Sequence, residues 1–212
     1  MRTAVYVDGF NLYYRALKNT PYKWLDLLAL SKQMVGPRNE ITLIRYFTAR
    51  VKPNASKPDQ HVHQDAYLRA IQAHIPCLTI HEGQFYRSTV RMPLANWRPD
   101  AGGPRTVEVI KTEEKGSDVN LAVHLVNDAC ESVFDVALVI SNDSDLAEAI
   151  RVVRSKGLPV GVVNPMADPA RRMNYELYST ASFRRRIEAK HLRAAQLPAT
   201  FPELSVAKPS DW

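Results

Sequence analysis

Four aspartates stand where a chain changes structure, and they are the residues whose types and spacing could do chemistry. In VISNDSDLAEAI, Asp143 and Asp145 follow directly on an apolar run and precede an amphipathic one. Asp8 closes the apolar run of TAVYVDG, and Asp118 lies in KGSDVNLAV. Two carboxylates ~4 Å apart repel by roughly 4 kcal/mol at an effective dielectric of about 20. Such a cluster takes up a proton or a cation. An all-oxygen donor set suits one or two Mg²⁺ or Mn²⁺ ions, which keep waters and recruit substrate phosphate. The chemistry expected is phosphodiester hydrolysis by an activated water. Asn11 sits near Asp8 in sequence, the two aspartates of SNDSD are expected on the rim of a metal pocket, and Asn142 or Ser144 could orient water or phosphate. Each acid also has a plainer use. Asp145, with Glu148 three residues on, could cap a helix, and Asp118 suits a helix N-terminus. Asp8, ending an apolar strand before a glycine, needs a partner because an unpaired buried charge is costly.

The elements that would position these acids alternate in type. Residues 3–8, 41–49, 77–83, 135–141 and 158–163 read as strands, being short, apolar and β-branched. Residues 25–35, 59–73 and 117–130 read as helices, as does the stripe of Leu146, Ala149, Ile150 and Val153. Loops are expected at 52–58 and 93–104. Alternation of this kind predicts an α/β fold with a mostly parallel sheet flanked by helices, occupying residues 1–181. A β-hairpin excursion is expected at 84–112, a basic C-terminal helix at 182–196 and a mobile, proline-containing tail at 197–212. In open sheets of this type ligands bind beyond the carboxyl ends of the strands. Asp8 and Asp143 lie at two such ends, and Asp118 opens a helix that starts on the same edge.

Composition narrows the classes. The chain has 212 residues, 45% hydrophobic and 24% charged, enough for one domain with a substantial core. No apolar run reaches the ~20 residues of a membrane-spanning helix. Two cysteines give no disulfide framework, and the expected location is cytoplasmic. His61, His63, His74, Cys77 and His81 match no zinc-ligand spacing. A P-loop, a G-x-G-x-x-G turn and a G-x-S-x-G elbow are all missing. The formal charge of +6 hints at a polyanionic partner. Arg87, Arg91 and Arg98 in the excursion are interleaved with Phe85, Tyr86 and Trp97, the combination that single-stranded nucleic acid uses. Arg184 begins a second basic stripe. The aromatic excursion would equally serve as the contact of a homodimer.

YVDGFNLYY, KGSDVNLAV and VISNDSDL, in that order, resemble the signature segments of NYN-domain proteins, in particular the LabA-like branch of the PIN-like nuclease superfamily. The resemblance implies a PIN-like (Rossmannoid) fold and a metal-dependent ribonuclease. Asp8, Asp118 and Asp143 would be its metal-binding acids, Asp145 an accessory acid and Asn11 a polar group beside metal or phosphate, with Ser141 and Asn142 part of an RNA-contacting rim. The substrate implied is RNA, expected to be single-stranded. One position departs from the pattern. Many members carry an aspartate six residues after the K-G-x-D acid, where this chain has His124. That change points to a weaker, Mn²⁺-preferring or catalytically reduced site. It favours the alternative of a non-catalytic RNA-binding or regulatory module.

Overall fold

The computed structural model describes residues 1–53, 58–99, 102–166 and 174–212. Residues 54–57 and 100–101, within the two loops expected from the sequence, lie outside the described residues.

The first strand, β1 (Arg2–Asp8), is followed at once by a helical turn, α1 (Gly9–Leu12), and a π-helical turn over Tyr13–Leu17. Next come α2 (Leu27–Met34), β2 (Glu40–Ala49), α3 (Gln60–His74), β3 (Leu78–Pro93) and β4 (Thr106–Lys115). The second half runs α4 (Ser117–Cys130), β5 (Val136–Ile140), α5 (Ala147–Ser155), β6 (Val160–Asn164), α6 (Tyr175–Thr180), β7 (Phe183–Arg186) and α7 (Ala189–Ala194). Seven of the described strands form one sheet in the order β4-β3-β2-β1-β5-β6-β7. Every pairing is parallel except β3 with β4. This is the α/β architecture expected, with helices on both faces.

Period-two alternation divides the core. Ala4, Tyr6, Ala137, Val139, Val160 and Val162 pack with Leu121 and Leu125 of α4 and Ile150 and Val153 of α5. Val5, Val7, Leu138, Ile140 and Val163 pack on the other face with Leu27 and Leu30 of α2 and Leu68 and Ile71 of α3. Strands covered on both faces carry near-continuous apolar runs, as VALVI does. The order of the sheet reverses at β1. Chain growth runs outward through β2 and β3, then returns to add β5 on the other side. That reversal is the switch point where ligands of such sheets bind.

The β-hairpin excursion is present as expected: β3 runs unbroken for 16 residues, its first part parallel to β2 and its outer part pairing antiparallel with β4 as an exposed arm. Two expectations are corrected. The basic stretch at 182–196 is not one helix. Phe183–Arg186 form β7, which satisfies the free edge of β6, and the helix begins only after Glu188, whose side chain takes part in a capping box with His191. An open parallel edge outweighed the helical periodicity of the run. The 197–212 segment is folded onto the domain instead of trailing away. Leu197 and Val206 are buried, β8 (Thr200–Phe201) pairs with β9 (Val206–Ala207), and Trp212 stacks edge-on against Trp24. Trp24 also donates its indole N–H to the Pro198 carbonyl at 2.8 Å. Prolines lower the entropic cost of ordering such a segment, and a few apolar anchors suffice.

Among the described residues no helix is long and apolar enough to cross a membrane. Both cysteines are free.

Candidate active site

The ends of β1 and β5 are adjacent, Val7 pairing with Ile140. Asp8 is therefore carried to the rim beside the segment that holds Ser141, Asn142 and Asp143. It is buried, at 3% exposure, and both its oxygens are engaged. Oδ1 accepts the Asn11 N–H at 2.9 Å, capping α1, and Oδ2 accepts the Ser141 hydroxyl at 2.8 Å. Ser141 Oγ in turn accepts the Asp143 N–H at 3.1 Å. Asn11 Oδ1 accepts the Asn142 N–H at 3.1 Å. The D-G-F-N and S-N-D segments thus brace each other through one side chain to side chain bond, Ser141 to Asp8, and one backbone to side chain bond, Asn142 to Asn11.

Asp118 follows the base of the arm, where Lys115 pairs with Gln84. Gly116, with φ of +102°, turns the chain from β4 into α4 in a conformation that L side chains rarely adopt. That glycine is the physical content of K-G-S-D. Beside it Glu114 accepts both the Ser117 N–H, at 3.1 Å, and the Ser117 hydroxyl, at 2.7 Å. Asp8, Asn11, Asp118 and Asp143 line one open pocket with Glu114, Ser117, Phe10, Tyr14 and Phe85.

The charges in this pocket are mutually unfavourable. Burial first, then the fields of Asp8, Asp143, Glu114 and Asp145, push the Asp118 carboxyl up to about 7. Asp8 is also raised, chiefly by burial, against the opposing pull of its Asn11 and Ser141 hydrogen bonds. Among the described residues no lysine or arginine forms an ion pair with Asp8, Glu114, Asp118 or Asp143. The donors are hard oxygens, the kind Mg²⁺ and Mn²⁺ take. Among the described residues, no three His, Cys, Asp or Glu side chains are already drawn in around an ion position.

The other expected residues fall variously. Asp145 is exposed at the rim and does not cap the following helix; its own N–H is accepted by Asp143 Oδ1 at 3.1 Å, so Asp143 is the capping acid. Ser141, expected on an RNA-contacting rim, is wholly buried and braces Asp8. Asn142 is half-buried and occupied on both sides, accepting the Asn174 N–H at 2.7 Å and donating to Met166 Sδ at 3.4 Å. Arg87 and Arg91 lie on the arm, two and six residues beyond Phe85 on the same face of β3. Arg98 is exposed in the loop at the arm's tip. Arg184 lies on β7 at the opposite edge of the sheet, its guanidinium 3.9 Å from the Tyr178 ring centroid and donating to the Tyr178 carbonyl.

His124 is not in the acidic pocket. Its ring lies 4.1 Å from that of His81 and 5.8 Å from Phe47, turned along α4 toward Arg45. Glu114 was missed from sequence. The signal was available: Glu114 pairs with Phe85, so strand periodicity places it on that residue's face just before the K-G-S-D turn.

The doubly wound α/β sheet carries the acidic pocket at its switch point, and the family match makes the fold nuclease-like. Residues 2–182 match the NYN domain, and the chain belongs to that family, whose PIN-like domains generally act on nucleic acid. The chain is 31% identical, over its full length and 75% of the relative's, to the 6-hydroxy-3-succinoylpyridine 3-monooxygenase HspA of Pseudomonas putida. A solved Vibrio parahaemolyticus protein of unknown function superposes with a TM-score of 0.52 at 15% identity, covering 92% of this chain and 96% of that one. The latter supports the fold alone.

Proposed function

We propose that this protein is a metal-dependent ribonuclease that hydrolyses single-stranded RNA at the acidic pocket. The observation that carries the reading is the convergence of Asp8, Asp118 and Asp143 on one pocket, with Asp118 pushed up to about 7 by burial and then by its neighbours' charges. A dication offsets that repulsion. Asp8, Asp118 and Asp143 would hold Mg²⁺ or Mn²⁺, with Glu114 beside them. Such an ion supplies an acidified water and neutralises charge developing on the phosphate. The chain's own groups do the rest. Ser141 and the Asn11 N–H fix the Asp8 carboxylate. Asn11 and Asn142 lock the two strand ends together. Asp145 adds negative charge at the mouth. Arg87 and Arg91, on the face of the arm that leads away from Phe85, hold backbone phosphates, and Arg98 extends that surface. Arg184, tied to Tyr178, serves the edge of the sheet instead.

The test is end-labelled single-stranded RNA incubated in Mg²⁺, Mn²⁺ or EDTA beside an Asp143→Asn variant. Metal-dependent cleavage lost in the variant is expected. RNA that is bound but uncut in every metal overturns the reading in favour of an RNA-binding module.

A second reading is favoured by the match to the Pseudomonas monooxygenase, which spans this whole chain. On it, the protein hydroxylates a small nitrogen heterocycle. Mass spectrometry of 6-hydroxy-3-succinoylpyridine incubated with protein, oxygen and a two-electron reductant tests it: a hydroxylated product supports it, and unchanged pyridine removes it for that substrate.

A further inference from the structure

Beside the acidic pocket, and sharing Phe10 and Tyr14 with it, lies a second cleft that the hydrolytic site does not use. Among the described residues six aromatic rings line it: Phe10, Tyr13, Tyr14, Tyr46, Tyr67 and Trp212. Among the same residues its one charged side chain is Lys23, whose ammonium lies 5.8 Å from the Trp212 ring centroid and donates to the Asp211 carbonyl at 3.3 Å. At its inner end is Gly9, the residue after Asp8. A Cβ at Gly9 would lie 2.7 Å from both the Tyr46 ring and its hydroxyl, and 2.7 Å from the Phe47 carbonyl oxygen. The glycine of D-G-F-N therefore lets the Tyr46 phenol reach the chain directly behind Asp8. Tyr46 senses that acid, its hydroxyl being raised by burial and by the Asp8 charge. Much of the polar lining is already spent internally. Tyr67 donates to the Leu25 carbonyl at 2.9 Å, and Gln64 is bonded to Val51 and Ala49. What the described lining offers a ligand is mainly ring faces and one cation, with Phe10 and Tyr14 shared with the acidic pocket.

We infer that this cleft is a subsite for a single flat nitrogen-containing aromatic ring bearing a negative group, which it holds next to the acidic pocket. A cavity that engulfs benzene measures about 150 Å³. This one is about 70 Å³ and open on one side, so it takes one six-membered ring with its outer edge in solvent and leaves a fused bicyclic mostly outside. The shared chemistry has two sources: the pyrimidine base of a nucleotide whose phosphate enters the acidic pocket, or a free pyridine carboxylate. The inference rests on the reading of the acidic pocket only for which source is natural. The ring site itself stands on the cleft.

Calorimetric titrations of the full chain, in Mg²⁺ and again in EDTA, would use uridine 5′-monophosphate, adenosine 5′-monophosphate, pyridine-3-carboxylate and ribose 5-phosphate. A ring-bearing anion should bind about five- to hundredfold tighter than ribose 5-phosphate, the range that stacking one base provides. Uridine monophosphate should exceed adenosine monophosphate. Gly9→Ala, which drives the Tyr46 ring out of place, should cost tenfold or more. Lys23→Met, at a half-buried position, should weaken both anions while leaving uncharged uridine unchanged, and it serves if the glycine variant does not fold. Preference for the uridine nucleotide assigns a nucleotide source. Binding of the pyridine carboxylate alone supports the subsite and assigns a small-molecule source. Equal binding of ribose 5-phosphate, binding unaffected by both variants, or no binding of either ring overturns the inference. Asp143→Asn separates the two proposals: if the nuclease reading fails, ring affinity in EDTA persists, whereas failure of the subsite leaves cleavage intact.

Discussion

Helix α4 carries two polar clusters that meet the same problem differently. At its start Asp118 faces Asp8, Asp143 and Glu114, and among the described residues no cation of the chain pairs with them. Toward its end Asp128 is more deeply buried, at 2% exposure, yet Arg45 reaches it with two bonds, at 2.7 and 2.9 Å, and the Tyr6 hydroxyl donates to it at 2.7 Å. One carboxylate is neutralised by the fold and the others are left to be neutralised from outside. A buried acid with its own arginine is structure; a group of acids without one has been kept at a cost to stability that a ligand can relieve.

The contrast can be broken at its stronger end first. Arg45→Leu strands Asp128 and should cost about 3–5 kcal/mol in urea unfolding, because an unpaired buried charge remains. Asp143→Asn should do the reverse. It should lower RNA cleavage by about a hundredfold or more while leaving the melting temperature in EDTA equal or higher, since it removes repulsion. A large loss of stability in that variant would show Asp143 to be a structural acid and dissolve the comparison.

The two clusters should also respond to pH in opposite senses. Asp118 has a folded pKa of about 7 against an ordinary 3.8, so its contribution is full below 3.8 and is lost as pH rises toward 7. His81 runs the other way. Burial first, then the neighbouring His124 and Arg45, lower it from 6.5 to about 4, so its contribution is full above 6.5 and is lost as pH falls toward 4. Thermal melts in EDTA across pH 4–8 should lose the alkaline decline in Asp118→Asn and the acid decline in His81→Gln. Added Mn²⁺ should raise the melting temperature more at pH 8 than at pH 6, because ionised carboxylates are its ligands. The smallest effect is expected from Tyr6→Phe, about 1 kcal/mol, since Arg45 still satisfies Asp128.

These clusters also mark what could be read in advance. Asp8 and Asp143 were legible because a carboxylate that ends an apolar strand is anomalous in itself, and strand ends in a parallel sheet share an edge. Asp118 followed because helices begin on that edge. Glu114 was obscured by the Lys/Glu-rich run around it, where an acid in an exposed strand looks like solvated surface. The Arg45–Asp128 pair joins residues 83 apart, and nothing local announces it. Ser141 was identified but given the wrong direction: a serine at a strand end can face solvent or the core, and only the position of Asp8 decides. β7 was read as helix because FRRRIEAKHLRAAQ has the amphipathic spacing of one. The unfilled edge of β6 is a long-range fact.

The two outermost strands give the chain's basicity a further meaning. Each edge of a β-sheet presents unpaired N–H and C=O groups that invite a strand from another molecule. One edge here is β4, with Lys111, Glu113 and Lys115 along its C-terminal half at the base of the arm, and the other is β7, with Arg184, Arg185 and Arg186 in succession. Rows of charge at such positions keep neighbouring copies from docking edge to edge. Part of the +6 charge that first suggests a polyanionic partner thus protects against aggregation. Neutralising the arginine edge should show itself in the yield of soluble protein before it shows in any assay of RNA.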